Sequence, residues 1–294
     1  MTCIAYIEKN FSNTSLSIIA HASGIIEEYK QQGFILTLRQ LYYQFVARDL
    51  IANDQRQYKR LGSIINDARL TGLISWTAVE DFTRNVQRNA HWSSPRELLR
   101  AARDSYATEK WKSQPYRVEV WIEKDALTGV IAPVCEELDV PYTSCRGYYS
   151  QSEQWRAGQR FKGYIAAGQT PVVLHLGDHD PSGIDMTRDN RERLSLFART
   201  PVEVRRLALN YDQIEEFHPP PNPAKVTDSR IAGYVAQYGT ETWELDALEP
   251  TIIARLIREA VAEIRDDSLW VQALGIQEKD RAHLSEFCEQ LGDE

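Results

Sequence analysis

Residues 174–186 read Leu-His-Leu-Gly-Asp-His-Asp-Pro-Ser-Gly-Ile-Asp-Met. The apolar run of Val172, Val173, Leu174 and Leu176 breaks at Gly177 into Asp178, His179 and Asp180, with Pro181 and Gly183 just beyond. A short apolar run closed by turn formers reads as a buried strand. Open α/β sheets place their ligands outside the carboxyl ends of such strands. Two carboxylates crowded there repel one another unless a cation lies between them, and oxygen-only ligation suits Mg²⁺. Asp and Gly are common in any loop, so this turn needs a second piece.

Residues 118–122 supply it. This apolar run follows a polar approach and ends in Glu123, Lys124 and Asp125. Between the two strands lie a helix over residues 127–138, interrupted by Pro133, a short strand over 142–145 and a helix over about 152–167. The order strand, helix, strand, helix, strand predicts a parallel sheet with right-handed crossovers. Such a sheet carries Glu123, Asp178 and Asp180 to one edge. Glu123 alone reads as a solvated residue after a strand; the three acids together favour a metal site. His175, inside the apolar strand, reads as a hydrogen-bonded core histidine, and His179 as a candidate supporting group.

The chain has 294 residues, enough for two domains with sizeable cores. No apolar run approaches the roughly 18 residues of a membrane span, and no basic-then-apolar leader is present, so a cytoplasmic protein without membrane association is expected. Cys3, Cys135, Cys145 and Cys288 show neither CxxC pairing nor zinc spacing and read as reduced thiols. The absence of a GxxxxGK[ST] segment disfavours a P-loop ATPase. The net charge of −8 is unevenly spread: residues 1–118 hold 16 Lys and Arg against 11 Asp and Glu, the remainder 18 against 31. Local field rather than net charge governs phosphate binding, so DNA is compatible with this balance without being required by it.

Residues 37–49 predict a helix, with Thr37 and Gln40 in a capping-box pattern and Leu38, Leu41, Tyr42 and Phe45 on one apolar face. A second helix, over about 57–70, turns Leu61, Ile64, Ile65 and Ala68 inward. Residues 73–76 are expected to form a short strand or wing. Two helices and a wing make a helix-turn-helix arrangement, whose outward side chains Lys59, Arg60, Asn66 and Arg69 would meet DNA. An ordinary amphipathic helix with a solvated basic face fits the same pattern equally. The apolar stripe takes Tyr42 and leaves Tyr43 facing elsewhere, one turn from Arg39. A guanidinium there would favour phenolate and could hold a phosphate, although Tyr–Arg pairs on helices are more often packing.

The Arg39–Tyr43 sequence RQLYY, a Glu-ended strand and the later DHDPSG (Asp178 to Gly183) together resemble the A subunit of DNA topoisomerase VI and its meiotic double-strand-break relatives. The resemblance covers roughly residues 37–209 and implies a minimal bacterial or mobile-element version of that family. It implies an α/β fold: a winged-helix domain (1–110) joined to a Toprim core (111–215), with a connector and C-terminal helical extension (216–294). Tyr43 would be the nucleophile, Arg39 its partner, and Glu123, Asp178 and Asp180 the Mg²⁺ ligands. Arg146, Gly147 and Tyr148 would form the family's Gly-aromatic turn, with Arg146 near DNA. The implied activity, in the isomerase class, is cleavage of double-stranded DNA through 5′-phosphotyrosyl links by a homodimer in which each tyrosine meets the other copy's metal site. A separate ATP-binding B-type subunit would lie outside this chain. A hydrolytic Toprim nuclease and a non-cleaving DNA-binding regulatory module are the rivals.

Further along, residues 219–230 form a proline-dense connector, with Lys225 and Arg230 as candidate phosphate contacts against the plainer reading of a rigid linker. Trp243 to Asp246 reads as an anchor for that connector or as a capped helix start. Ile253, Leu256, Ile257, Ala260, Val261 and Ile264 form the apolar face of a late helix, to which no chemistry is assigned.

Overall fold

The computed structural model describes residues 4–79, 89–223 and 230–290. Three helices open the chain: α1 (Asn13–Gln31), α2 (Leu38–Ala47) and α3 (Gln55–Leu70). α2 starts where the sequence dictates. Thr37 Oγ1 accepts from the Gln40 amide at 3.3 Å, and Gln40 Oε1 accepts from the Thr37 amide at 2.8 Å, closing the capping box. Asp54 caps α3 in the same way, accepting from the Gln57 amide at 2.8 Å. The three helices share a core that includes Ile25, Tyr29, Leu41, Phe45, Leu61 and Ile65.

Residues 73–76 do not form the expected strand or wing. They make a bend and enter a 3₁₀ turn at Trp76–Ala78. The reason is local: Ser75 caps the Thr77 amide, and the Arg69 guanidinium donates to the carbonyls of Trp76 and Val79 while lying over the Trp76 ring. Just past this turn Val79 makes a single parallel bridge with Leu36.

After α4 (Pro95–Ser105) comes the α/β layer: β1 (Tyr116–Ile122), α5 (Thr128–Glu137), β2 (Tyr142–Ser144), α6 (Gln151–Ala166), β3 (Thr170–Leu176), α7 (Pro181–Ala198) and β4 (Glu203–Ala208). The four strands pair in parallel in the order β2-β1-β3-β4, with Val120 opposite Tyr142 and Leu174, and Val173 opposite Val204. Alternation along the strands sorts side chains to two faces. Val118, Val120, Ile122, Val172, Leu174 and Leu176 pack with Ile131 and Val134 of α5. Trp121, Val173 and Val204 pack with Phe161 of α6 and Leu194 of α7. Each such fully buried aliphatic side chain stabilises the fold by about 1.5–3 kcal/mol.

The remaining elements are α8 (Tyr211–Phe217), the two-residue strands β5 (Asn222–Pro223) and β6 (Glu241–Thr242), α9 (Ile231–Tyr238), α10 (Pro250–Ala262) and α11 (Asp267–Gln290). The apolar face expected on the late helix forms as α10, where Ile253, Ile257 and Val261 join the α5 side of the sheet core. A 3₁₀ turn at Leu245–Ala247 ties the two halves of the molecule: Leu245 belongs to the sheet core, Ala247 to the front helical core. Cys135, Cys145 and Cys288 are free and buried; Cys3 and Lys225 lie outside the described residues. Among the described residues no helix is long and apolar enough to cross a membrane.

Candidate active site

The strand order fixes where a site can form. From β1 the chain crosses through α5 to one side of the sheet, and from β3 through α7 to the other, so the order reverses between β1 and β3. Crevices at such switch points are where open α/β sheets bind ligands. Glu123 follows β1 and Asp178 and Asp180 follow β3. All three line one cleft of about 530 Å³ together with Arg39, Lys124, Arg146, Glu244 and Asp246.

The acid loop is tightly built. Glu123 Oε2 accepts from the Asp178 amide at 2.9 Å, Asp178 Oδ1 from the Leu245 amide at 2.8 Å, and Asp180 Oδ1 from the Gly183 amide at 2.6 Å, capping α7. Gly183 has a steric reason to be glycine: a Cβ there would lie 2.1 Å from the Asp178 carbonyl oxygen. Arg206, on β4, holds the loop from beneath, donating to the carbonyls of Gly177 (3.1 Å), Asp178 (2.6 Å) and Gly183 (2.8 Å). The histidines brace the same region. His175 pairs through Nδ1 with Thr187 Oγ1 at 2.8 Å, as a core histidine would, and His179 Nδ1 with the Tyr234 hydroxyl at 2.8 Å. Burial holds them at about 3 and about 4, with Arg206 adding to the effect, so both are neutral at pH 7.

Burial raises Glu123, and the neighbouring Asp180 adds to that; burial raises Asp178 to about 7, with Glu123 adding and Lys124 opposing. A further cation would relieve this crowding, and the donors are all oxygen, the set that suits Mg²⁺. Among the described residues no three His, Cys, Asp or Glu side chains stand close enough to enclose a metal ion. The cation that does sit there belongs to the protein: Lys124 Nζ is 2.9 Å from Asp178 Oδ1 and 3.0 Å from Glu244 Oε2.

Arg39 reaches this cleft from α2. Its Nη2 donates to Glu244 Oε2, and its Nε lies 2.9 Å from Asp246 Oδ2. Tyr43, one turn on, is not turned to solvent as the helical wheel implies; it is 3 % exposed. α2 is covered on both sides, by α1 and α3 and by the 3₁₀ turn at Leu245–Ala247, so Gln40 and Gln44 are buried with it. The Arg39 guanidinium lies 5.8 Å from the Tyr43 ring centre. Burial and Glu244 push the phenol up to about 12, outweighing Arg39, so the guanidinium does not favour phenolate here. Tyr42 is anchored differently, its hydroxyl 3.0 Å from Asn53 Oδ1.

Lys59, Arg60 and Asn66 lie exposed on α3, outside the cleft lining. Arg69 is not an outward side chain, because it latches the 75–79 turn. Arg146 lines the cleft with its side chain 73 % exposed, 3.2 Å from Asp125. Arg230 is tied to Asp185 at 2.9 Å and to Tyr148. Sequence reasoning missed Lys124, Arg206, Glu244 and Asp246. Lys124 carried a signal, being next to the strand-end acid; the other three are recognisable only by what they touch. No protein-family model matches the chain, and none of the curated proteins does.

Proposed function

We propose that this chain is a DNA-cleaving transesterase of the topoisomerase VI A-subunit type, with the front helices serving as its winged-helix-like tyrosine domain and the parallel sheet as its Toprim core. What supports the reading is one juxtaposition. Arg39, a turn from Tyr43 on α2, lines the same switch-point cleft as Glu123, Asp178 and Asp180, carried there from the ends of two separate strands. A tyrosine hydroxyl, a guanidinium and three carboxylates are the parts that phosphoryl transfer to tyrosine requires.

In this reaction Tyr43 Oη attacks a DNA backbone phosphorus. The P–O3′ bond breaks as the O–P bond to tyrosine forms, the phenol gives up its proton, and the 3′ oxygen takes one up. Arg39 holds a non-bridging phosphate oxygen. Glu123, Asp178 and Asp180, drawn closer together than they stand here, would hold Mg²⁺, which would supply charge stabilisation to the reacting phosphate. Two copies acting on opposite strands of a duplex would leave a staggered double-strand break, and strand passage would call on a separate ATP-binding B-type subunit. Because Tyr43 is buried beside its own chain's cleft, its hydroxyl must be uncovered before DNA reaches it. That burial favours a second reading, a hydrolytic nuclease in which the acids activate water and Tyr43 is structural. Denaturing gels of protein incubated with supercoiled plasmid and Mg²⁺ separate the two: protein covalently attached to DNA ends is expected, and cleavage with free ends only would establish the hydrolytic reading instead.

A further inference from the structure

Glu244 makes an unusual set of contacts for a carboxylate on a surface turn. A single oxygen, Oε2, receives both Arg39 Nη2 and Lys124 Nζ, the latter at 3.0 Å. A carboxylate oxygen gripped by an ammonium and a guanidinium, the latter one helical turn from Tyr43, stands where a phosphate oxygen would be gripped during attack by that phenol. The remaining partners of the two cations are fixed. Asp246, with its side chain 1 % exposed, lies 2.9 Å from Arg39 Nε and 3.7 Å from Lys124 Nζ; both of its oxygens lack a hydrogen-bond donor. Asp178 holds Lys124 at 2.9 Å. Glu244 itself is more accessible, at 27 %, on the edge of the cleft, and it caps no helix with its side chain.

We infer that Arg39 and Lys124 form an oxyanion subsite for a nucleic-acid phosphodiester, and that Glu244 fills this subsite as an internal phosphate mimic until DNA displaces it. This rests on the transesterase reading and adds to it a second phosphate-holding cation, Lys124, and a gate. Asp246 keeps both cations aimed at the subsite once Glu244 swings out.

The exchange has a thermodynamic signature. In the native chain the cations are already neutralised by Glu244, whose charge stays beside the DNA when a phosphate displaces it, so the exchange neutralises little of the DNA's charge. Without the Glu244 charge the cations neutralise the phosphate outright and release counterions condensed on the DNA, and each phosphate so neutralised adds about 0.9 to the magnitude of the log affinity against log salt slope. Fluorescence anisotropy with a labelled DNA duplex in EDTA, over a salt series, reads this without any cleavage. Glu244→Gln is expected to tighten binding about tenfold at low salt and to steepen the slope by about one. Glu244→Ala should do the same, while Glu263→Gln, an exposed acid outside the cleft, should stay within about twofold because distant exposed charges are screened. Equal or weaker binding by folded Glu244→Gln, or the same gain from Glu263→Gln, would overturn the subsite. Failure of every protein to bind duplex would remove both the subsite and the transesterase. The expected gain with no covalent adduct in Mg²⁺ would leave the subsite standing and remove only the transesterase.

Discussion

Replacing Lys124 with Met tests whether the cleft is held together by its own cation. The Lys124 side chain is 20 % exposed, and its ammonium lies 2.9 Å from Asp178, 3.0 Å from Glu244 and 3.7 Å from Asp246. At an effective dielectric constant of about 20, each contact near 3 Å carries about 5 kcal/mol of Coulomb attraction, most of it offset by taking the ammonium out of water. Met has similar reach and removes the charge, leaving Asp178 and Asp246 buried beside Glu244, with Arg39 against Glu244 and Asp246 and Arg206 beside Asp178. Breaking a buried pair from one side costs about 3–5 kcal/mol, because the stranded carboxylates stay desolvated. With an m-value of about 3 kcal/mol per molar urea, the unfolding midpoint should fall by about 1–1.7 M. Tryptophan fluorescence through a urea titration reads this directly, since Trp243 sits one residue from Glu244. Lys59→Met, on the exposed face of α3, should change stability by less than about 0.5 kcal/mol. A loss below about 1 kcal/mol for Lys124→Met would refute the reasoning, for it would mean that water or rearrangement compensates the acids.

Other consequences follow from the same geometry. Gly183→Ala drives a Cβ against the Asp178 carbonyl oxygen, a backbone atom that cannot swing away, and should cost about 3 kcal/mol in urea unfolding; Gly163→Ala, in open space on α6, should instead gain about 0.5–1 kcal/mol. His175 and His179 are neutral in the fold and held below the unfolded value of about 6.5, so the unfolded chain binds more protons as acid is added. Their contribution is complete above that value and is lost on acidification, by about 1.4 kcal/mol each between pH 7.5 and 5.5, so His175→Gln should remove about 1.4 kcal/mol of acid-induced destabilisation over that window relative to the native chain. Asp178→Asn should abolish Mg²⁺-dependent plasmid cleavage, and undiminished cutting would remove that acid from the site. Tyr42→Phe should retain covalent adduct formation while losing about 1 kcal/mol of stability with its bond to Asn53.

The sheet was legible because its strands are continuous apolar runs ended by turn formers, and because their crossovers leave few topologies open. The acid trio followed from the same pattern: residues at the ends of adjacent parallel strands are neighbours whatever their separation in sequence. α2 was legible down to its capping box, which is local chemistry. What lay outside reach was non-local. Glu244 meets Arg39 across 205 positions, and no periodicity announces such a pair. Tyr43 was read as facing away from the core because one apolar stripe implies one buried side; the 3₁₀ turn at Leu245–Ala247 gives α2 a second. Residues 73–76 formed no strand for a short-range reason: Ser75 and Arg69 hold the chain in a bend and a 3₁₀ turn.

The most direct measurement of the central claim is peptide mass spectrometry of the protein after incubation with plasmid and Mg²⁺ followed by exhaustive nuclease digestion. A nucleotide remnant on Tyr43, absent from Tyr43→Phe and still present in Tyr42→Phe, is the predicted result. Cleaved DNA with no tyrosine carrying a remnant, or a remnant on a tyrosine remote from the acid cleft, would contradict it.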